Sequence, residues 1–447
     1  MPNGLAKGAL RRYVAGMGRR TVSEDDLARP PEAPPLRARF EALLDEAARQ
    51  FNDHGVLLTS LPDIADGLEL SRAALYYYVD DREDLVFKVY RRSVEVLARN
   101  LEASAQTGQT VLESINAFVA ATLSPAAPEI AALNEIGLLR EPERATILAL
   151  HAGVIARLGG ILEGGIRAGE IRRCDTDVAA RCIVSMVYWL PLAHRWRAWQ
   201  ALDRQRLIAL ICDLVANGVA ADRREIRSPV RMDLTPLRAG ETVALDPAGL
   251  REARRETILR TASRLFDAKG IDTTSLEEIA AALGTSTRTL YRNVGDKPSI
   301  VKACYERAFR IALYISDAAG LLDLSAAEAL DAQQRAHAIA QQDPAIAPLR
   351  HGSGLDALAP DARAVVDDMA DQLTVAARTR IHQAQAENEI RRLDAEEFLV
   401  LATGPSAWLA KPFIETTPQR RIEIADAVAD FVRLGLTALD AGSERGR

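Results

Sequence analysis

An internal repeat constrains the fold of this chain more than any other feature of its sequence. At an offset of 215 positions, about 21 of roughly 55 residues between positions 39 and 93 are identical to residues 254–308. A weaker match, at an offset of 219, pairs the sequence EIRR at 170–173 with EIRR at 389–392. The 447 residues therefore contain two copies of a unit that is about 200 residues long.

Each copy begins with a small module and continues into a larger, apolar domain. The N-terminal residues are basic and then Pro-rich, and a second segment without periodic apolar residues separates the copies. We expect a flexible tail (1–35), two small modules (36–95 and 250–310), two larger domains (96–221 and 311–441) and a linker (222–249).

Apolar residues recur at helical spacing in both copies, and alternating β-branched runs bounded by hairpin turns are absent. Phe40, Leu43, Leu44, Ala47 and Phe51 form one such helical stripe. The predicted fold class is all-α, with two repeats that each join a small N-terminal module to a C-terminal helical domain.

Charge and motif content exclude several functions. Lys and Arg number 56 against 62 Asp and Glu, so the chain is not a uniformly basic nucleic-acid binder. The four Cys and six His show no disulfide framework and no metal-binding spacing, so we expect no metal and no cofactor. No nucleophile motif is present, and we predict that the protein is not an enzyme.

Apolar stretches are short. None reaches the ~20 residues of a membrane span, and the N-terminus lacks the apolar core of a signal peptide. We therefore expect a cytoplasmic protein with reduced thiols and no membrane contact.

Each small module carries the signals of a helix-turn-helix. Ser60 and Ser275 can cap a second helix, and each is followed three positions later by an acidic residue. After a three-residue turn, Ser71 and Ser286 can cap a third helix. Two helices joined in this way place the second of them in the major groove of DNA.

The third helices, 71–79 and 286–294, are expected to contact DNA with the residues that do not face inward. Arg can bind guanine with two hydrogen bonds, and Ser, Thr and Tyr can reach phosphates or base edges. The candidate DNA-contacting residues are Ser71, Arg72, Ala73, Ala74, Tyr77 and Arg82 in the first module and Ser286, Thr287, Arg288, Thr289, Arg292 and Lys297 in the second.

The sequences SLPDIADGL and SRAALYYYVDDREDL of the first copy, and SLEEIAAALGTSTRTLYRNVGDKPSI of the second, resemble the DNA-binding domain of the TetR family of bacterial repressors. The resemblance implies a repressor that releases double-stranded operator DNA when a small molecule binds its C-terminal domain. It also implies that Tyr76 and Tyr291 contact phosphates. Family members pair identical subunits, whereas this chain joins two unlike modules, and Glu69 stands where Gly284 opens the turn in the second.

The two modules differ in charge. Residues 36–95 carry 8 basic and 12 acidic residues, and residues 250–310 carry 12 basic and 8 acidic residues. Because phosphate neutralisation dominates affinity for DNA, we predict that the second module makes the stronger contact. The alternative is that the arginines of these helices are only solvated surface residues.

The segment 164–190 resembles the C-terminal region of TetR members that respond to fatty or steroid acyl-CoA thioesters. The resemblance makes Trp189, His194, Arg195 and Trp196 candidate ligand-binding residues, with Arg195 suited to a phosphate or carboxylate. The alternative is that the aromatic residues only pack helices. The second half does not repeat the Arg-Trp pair, so we expect that it has lost its pocket and acts as a scaffold.

The last helices of each half have strongly apolar faces, and the resemblance suggests that these helices form a four-helix dimer interface within one chain. The predicted function is sequence-specific transcriptional regulation by a repressor that a small hydrophobic or acyl-CoA-type effector releases from DNA. The predicted state is an intrachain pseudo-dimer, and two chains can still associate as a homodimer. The alternative is a helical ligand-binding or partner-binding protein that has lost DNA binding in one or both modules.

Overall fold

The computed structural model describes most of the chain after the N-terminal tail. The described ranges are 33–56, 58–68, 71–108, 110–193, 203–223, 229–238, 247–271, 273–350, 355, 358–409 and 417–438. In these ranges the regular structure is helical apart from two isolated β-bridges, which confirms the predicted all-α fold. Contacts divide the chain after Ala42, and all packing described below lies within the unit that begins at Leu43.

In the first half, a module of short helices precedes a bundle of longer ones. The helices are α1 (Ala33–His54), α2 (Leu61–Gly67), α3 (Arg72–Leu75), α4 (Arg82–Thr107), α5 (Val111–Leu123), α6 (Glu143–Ala168), α7 (Thr176–Ala193) and α8 (Arg204–Asn217). The long helix α4 leaves the module and packs against α5 and α6 in the bundle.

The second half repeats this order. Its helices are α9 (Pro247–Lys269), α10 (Leu276–Ala282), α11 (Thr287–Asn293), α12 (Lys297–Gly320), α13 (Ala326–Gln342), α14 (Pro360–Ala386), α15 (Ala395–Thr403) and α16 (Pro418–Leu434). As α4 does in the first half, α12 leaves its module and packs against the next two helices, α13 and α14.

The second helix of each module begins at its predicted cap. Ser60 accepts a hydrogen bond from Asp63 N–H at the start of α2, and Ser275 accepts one from Glu278 N–H at the start of α10. In both cases the acidic side chain bonds back to the cap backbone, which completes a capping box. The predicted start of the second helix in each module is therefore confirmed.

The third helices of the two modules differ in their caps. Ser71 accepts a hydrogen bond from Ala74 N–H at the start of α3. Ser286 makes no side-chain hydrogen bond to the backbone of α11, so the predicted cap at Ser286 is wrong.

Helix α6 is long and apolar enough to cross a membrane by length and composition, with a mean hydropathy of 1.7. Its side chains Ile147, Val154 and Leu158 are buried, and the helix packs against α4 and α7. The expectation that no apolar stretch is long enough for a membrane span is therefore wrong, although α6 packs against its neighbours within the helical bundle.

The C-terminal helices of the two halves pack on each other, α7 and α8 against α15 and α16. Arg172 N–H donates to the Leu436 carbonyl at 2.9 Å, and Arg391 N–H donates to the Val219 carbonyl at 2.8 Å. Arg172 and Arg391 occupy the same position of the EIRR repeat, so each half gives the other the same contact. Such reciprocity is typical of a twofold-symmetric interface.

Two glycines lie where the backbones of the halves meet. Gly218 has φ +62° and ψ −160°, and Gly435 has φ +60° and ψ −156°. A Cβ atom on Gly218 would lie 2.4 Å from Gly435 N, and one on Gly435 would lie 2.4 Å from Gly218 N. Both positions therefore exclude a side chain.

Side chains also join the halves. Arg391 Nη1 lies 2.8 Å from Asp213 Oδ2, and Arg420 Nη2 lies 2.8 Å from Asp175 Oδ2. Ser185 on α7 donates to the Gly404 carbonyl at 2.6 Å. The interface thus combines polar contacts with the apolar faces of its helices.

Part of the predicted linker is packed against the second half. Leu234 is buried and, with the partly buried Leu237, joins an apolar cluster formed by residues of α12 and α13. Arg238 Nη2 lies 2.9 Å from Asp343 Oδ2. The segment 229–238 of the predicted linker is thus fastened to the second half.

Candidate nucleic-acid interface and ligand cavity

The helix α11 of the second module exposes a polar face. Leu290 is fully buried and anchors its opposite side. Gly284 lies in the turn before α11. Its φ is +61°, a left-handed value that glycine adopts without strain. The candidate DNA-contacting residues lie there as follows: Ser286, Arg288, Tyr291 and Arg292 are exposed, and Thr287, Thr289 and Lys297 are half-buried.

The corresponding helix of the first module is shorter than predicted. Its α-helix ends at Leu75, and Tyr77 N–H and Tyr78 N–H bond to carbonyls three residues earlier, at 3.3 and 2.9 Å. The prediction of a helix through Val79 is therefore wrong beyond Leu75. The next three residues are all tyrosines, and aromatic side chains lose rotamer freedom in a helix, which weakens its continuation.

The first module presents Tyr77 where the second presents Arg292, and Tyr76 corresponds to Tyr291. Tyr76 is 56% exposed and Tyr77 is 67% exposed, and Tyr77 packs edge-on against Tyr78. Among the other candidates Ser71 is exposed, and Ala74 and Arg82 are half-buried. The side chains of Arg72 and Ala73, and residue Glu69, lie outside the described residues.

Two buried arginines at equivalent positions of the repeat were not predicted as functional residues. Arg92 Nη2 donates to Asp45 Oδ1 at 2.7 Å, and Arg307 pairs with Glu256. Each also donates to loop carbonyls of its larger domain, so each ties the first helix of a module to the domain behind it. The sequence could have pointed to them, because the equivalent positions 92 and 307 of the repeat both carry arginine.

A second pair of equivalent residues makes the same connection with different chemistry. Asn52 Nδ2 donates to the Ile130 carbonyl at 2.8 Å, and its Oδ1 accepts from Ala132 N–H at 3.0 Å. In the second module Asp267 Oδ1 accepts from Arg350 N–H at 3.1 Å. Burial raises the pKa of Asp267 to about 7, although the positive charge of Arg350 opposes the shift.

We expect Asp267→Asn to stabilise the protein at pH 8 and to leave it nearly unchanged at pH 4. A carboxyl with a folded-state pKa of about 7, against an ordinary 3.8, binds its proton more tightly in the folded state. Stability is therefore lost as pH rises between these values, by on the order of 4 kcal/mol, and Asn removes that loss. Urea unfolding at both pH values measures it. The exposed Asp361→Asn is the control, and an equal pH dependence in wild type and Asp267→Asn would contradict the prediction.

A loop of the first half contacts both modules. Glu135 Oε2 accepts from Val56 N–H in the first module at 2.9 Å. In the second module, a Cβ atom on Gly270 would lie 3.3 Å from Glu135 Cγ. Gly137 packs so closely on α9 that a Cβ atom there would lie 2.6 Å from Lys269 Cα. This loop therefore links the positions of the two modules.

A large cavity lies mainly in the second half, with Trp189, Val219 and Ala220 of the first half also in its wall. It measures about 280 Å³, lies among α13, α14 and α15, and includes Arg350 in its wall. A smaller cavity of about 30 Å³ lies near His151 and Tyr188 of the first half and Ala407 and Trp408 of the second half, and has room for about two water molecules. The expectation that the second half has lost its pocket is therefore wrong.

The candidate ligand-binding residues are only partly placed. Trp189 lies in the walls of both cavities, and its Nε1 donates to the Val400 carbonyl at 3.2 Å. His194, Arg195 and Trp196 lie outside the described residues. Within the described ranges, no three His, Cys, Asp or Glu side chains form a cluster that could hold a metal ion.

Comparison with known families and proteins agrees with this arrangement. The family described as bacterial regulatory proteins, tetR family, matches residues 43–89 and 258–304, and a tetracyclin repressor-like C-terminal domain matches residues 109–219. The HTH-type transcriptional repressor KstR2 of Rhodococcus jostii (strain RHA1) is 29% identical over 165 residues, which cover 35% of this chain and 79% of that protein.

Solved structures with similarity to part of this chain include those of PfmR and AibR. PfmR from Thermus thermophilus is 24% identical, with 39% of this chain and 96% of that chain covered and a TM-score of 0.34. AibR, in complex with isovaleryl coenzyme A and operator DNA, is 22% identical, with 39% and 97% covered and a TM-score of 0.34.

The family matches fall on both small modules and on the first larger domain. Both modules carry the helix pair of a helix-turn-helix, with a capping box at the start of the first helix of each pair, and the family consists of regulators rather than enzymes. The chain is therefore a member of the TetR family of bacterial DNA-binding transcriptional regulators, with the amino-terminal domain of that family present twice.

Proposed function

We propose that this protein is a single-chain repressor that reads an operator with two unlike helix-turn-helix modules and leaves it when an effector binds. The observation that carries the proposal is the exposed polar face of α11, with Arg288 and Arg292 beside Ser286. These side chains match the hydrogen-bonding groups of the major groove. The exposed Tyr76 and Tyr77 give the first module a weaker, less charged contact.

The reciprocal contacts between the halves support a pseudo-dimer within one chain. Dimeric helix-turn-helix proteins contact half-sites about 34–36 Å apart, or a multiple of this. Two different modules predict that the half-sites differ in sequence. The net negative charge of the first module and the short α3 favour the alternative in which one module, the first, contributes little to DNA binding.

Contacts between the large cavity and the second module support the proposal that an effector bound in the cavity controls DNA binding. The Arg350 side chain borders the cavity, and its backbone N–H donates to Asp267 on α9. Solved structures of relatives contain isovaleryl coenzyme A (AibR) and stearoyl-CoA (FadR from Bacillus subtilis). We propose a small-molecule effector for this chain too, acting in the cytoplasm.

A mass measurement in solution, with and without DNA, tests the proposal. We expect a species of 48.7 kDa that binds one duplex of the promoter region of its own gene. Footprinting should then show two unequal half-sites. A species of twice this mass on a perfect inverted repeat, or no salt-sensitive binding to that duplex, would contradict it.

A further inference from the structure

One glutamate lies against both modules, at equivalent positions of the repeat. A Cβ atom on Gly55 would lie 3.2 Å from Glu135 Oε1, and one on Gly270 would lie 3.3 Å from Glu135 Cγ. Gly55 follows the end of α1 and Gly270 follows the end of α9, so the two glycines are equivalent at the offset of 215. The first helices of the two modules therefore end against the same side chain.

The loop that carries this side chain, residues 129–140, is held to the first module by hydrogen bonds near both of its ends. Asn52 Nδ2 on α1 donates to the Ile130 carbonyl at 2.8 Å. At the other end of the loop, Arg140 N–H donates to Glu83 Oε1 on α4 at 2.9 Å. The position of the loop is therefore fixed relative to the first module.

The same loop meets the second module at Gly137, where backbone lies on backbone. A Cβ atom on Gly137 would lie 2.6 Å from Lys269 Cα and 2.7 Å from the Ala268 carbonyl oxygen, both at the end of α9. Carbon atoms in contact prefer a separation of about 3.5–4.0 Å, so no side chain fits at position 137 while α9 keeps its place. The loop therefore limits how closely the second module approaches the first.

We propose that the loop 129–140 sets the separation of the two helix-turn-helix modules and thereby selects the spacing of the two half-sites in the operator. The proposal rests on the function proposed above and concerns how both modules fit one duplex. Each base pair added between half-sites moves them apart by about 3.4 Å and rotates one against the other by about 35°. A fixed separation of the modules therefore fits one spacing of the half-sites.

Pulsed electron paramagnetic resonance of the full chain, without DNA, measures the separation of the modules. Nitroxide labels are attached through Asp66→Cys on α2 and Ala281→Cys on α10, which are exposed and equivalent in the repeat, in a background with Cys174→Ser and Cys212→Ser. Gly137→Leu should lengthen the distance between the labels by about 2 Å or more, because the new side chain must be accommodated between the loop and α9.

Gly153→Leu is the matched control for this measurement. Gly153 is exposed on α6 of the same half, and a Cβ atom there meets nothing within 4 Å. The control should leave the distance between the labels unchanged. An unchanged distance in Gly137→Leu, or an equal change in Gly153→Leu, would overturn the proposal.

Glu135→Ala provides a second measurement in case Gly137→Leu does not fold. Removal of the side chain between Gly55 and Gly270 leaves space there, so the distribution of distances should broaden towards shorter values. Glu135→Gln keeps the volume and an oxygen that can accept from Val56 N–H, so it should restore the distribution of the wild type. A wild-type distribution in Glu135→Ala would contradict the role of the loop.

Titrations with DNA test the selection of spacing separately. The duplex defined by footprinting is compared with duplexes that carry one or two extra base pairs between the half-sites. One added pair should weaken binding of the wild type by about 10-fold, and that of Gly137→Leu by less than about 3-fold, since the avidity of linked modules depends on their geometry. Equal spacing dependence of the two proteins would overturn the proposal. Absence of binding to every duplex would refute the DNA-binding function proposed above, whereas the distance between the labels would still decide whether the loop sets the separation of the modules.

Discussion

Gly218→Ala and Gly435→Ala should each destabilise the protein by at least about 3 kcal/mol, a large part of the ~5–15 kcal/mol that stabilises a folded domain. Their backbone dihedrals belong to a region that only glycine adopts readily, near φ +60° and ψ −160°. A Cβ atom on either glycine would also lie 2.4 Å from the backbone of the opposite half. Urea unfolding of the full chain measures the loss.

Gly169→Ala is the matched control for both variants. Gly169 also has a positive φ, +74°, but a Cβ atom there meets nothing within 4 Å. It should cost only about 1 kcal/mol, the penalty for a left-handed alanine. If all three variants lost the same stability, the close contact between the halves would be refuted.

Arg288→Ala and Arg292→Ala should each weaken operator binding by about 10- to 100-fold, whereas Arg72→Ala should weaken it less than about 5-fold. The two arginines are exposed on α11, in the module with more basic than acidic residues. Titration of a fluorescent duplex of the promoter region, at two salt concentrations, measures the affinities.

The exposed Arg310→Ala is the control for overall charge. Arg310 lies on α12, about 20 Å along the helix from its start at Lys297, and should have little effect on binding. A loss for Arg72→Ala as large as that for Arg288→Ala would show that the two modules contribute equally. A loss for Arg310→Ala as large as for Arg288→Ala would show only a general electrostatic effect.

Local signals predicted the modules because the forces that form them are local. Ser60 and Ser275 begin helices through bonds to residues three positions later, so their effect can be predicted from sequence. The end of α3 could not be predicted in this way, because the tyrosines at 76–78 fit the apolar spacing of a helix while their side chains disfavour its continuation.

Long-range features escaped prediction for a different reason. The large cavity depends on the separation of α13, α14 and α15, and single substitutions such as the loss of an Arg-Trp pair do not determine that separation. Arg350 was not singled out, since its importance comes from its contact with Asp267, 83 positions earlier in the chain. The repeated Arg92 and Arg307 could have been found, because an arginine retained in both copies of a duplication is visible in the sequence.

The fastening of residues 229–238 to the second half, together with the covalent joining of the two halves, has a consequence for gene control at low copy number. Separate subunits dissociate on dilution, so the fraction of subunits that carries two paired helix-turn-helix modules falls steeply when a cell contains few molecules. In this protein the two helix-turn-helix modules remain linked at any dilution, because they belong to one polypeptide chain. Even a single molecule per cell therefore carries one copy of each helix-turn-helix module.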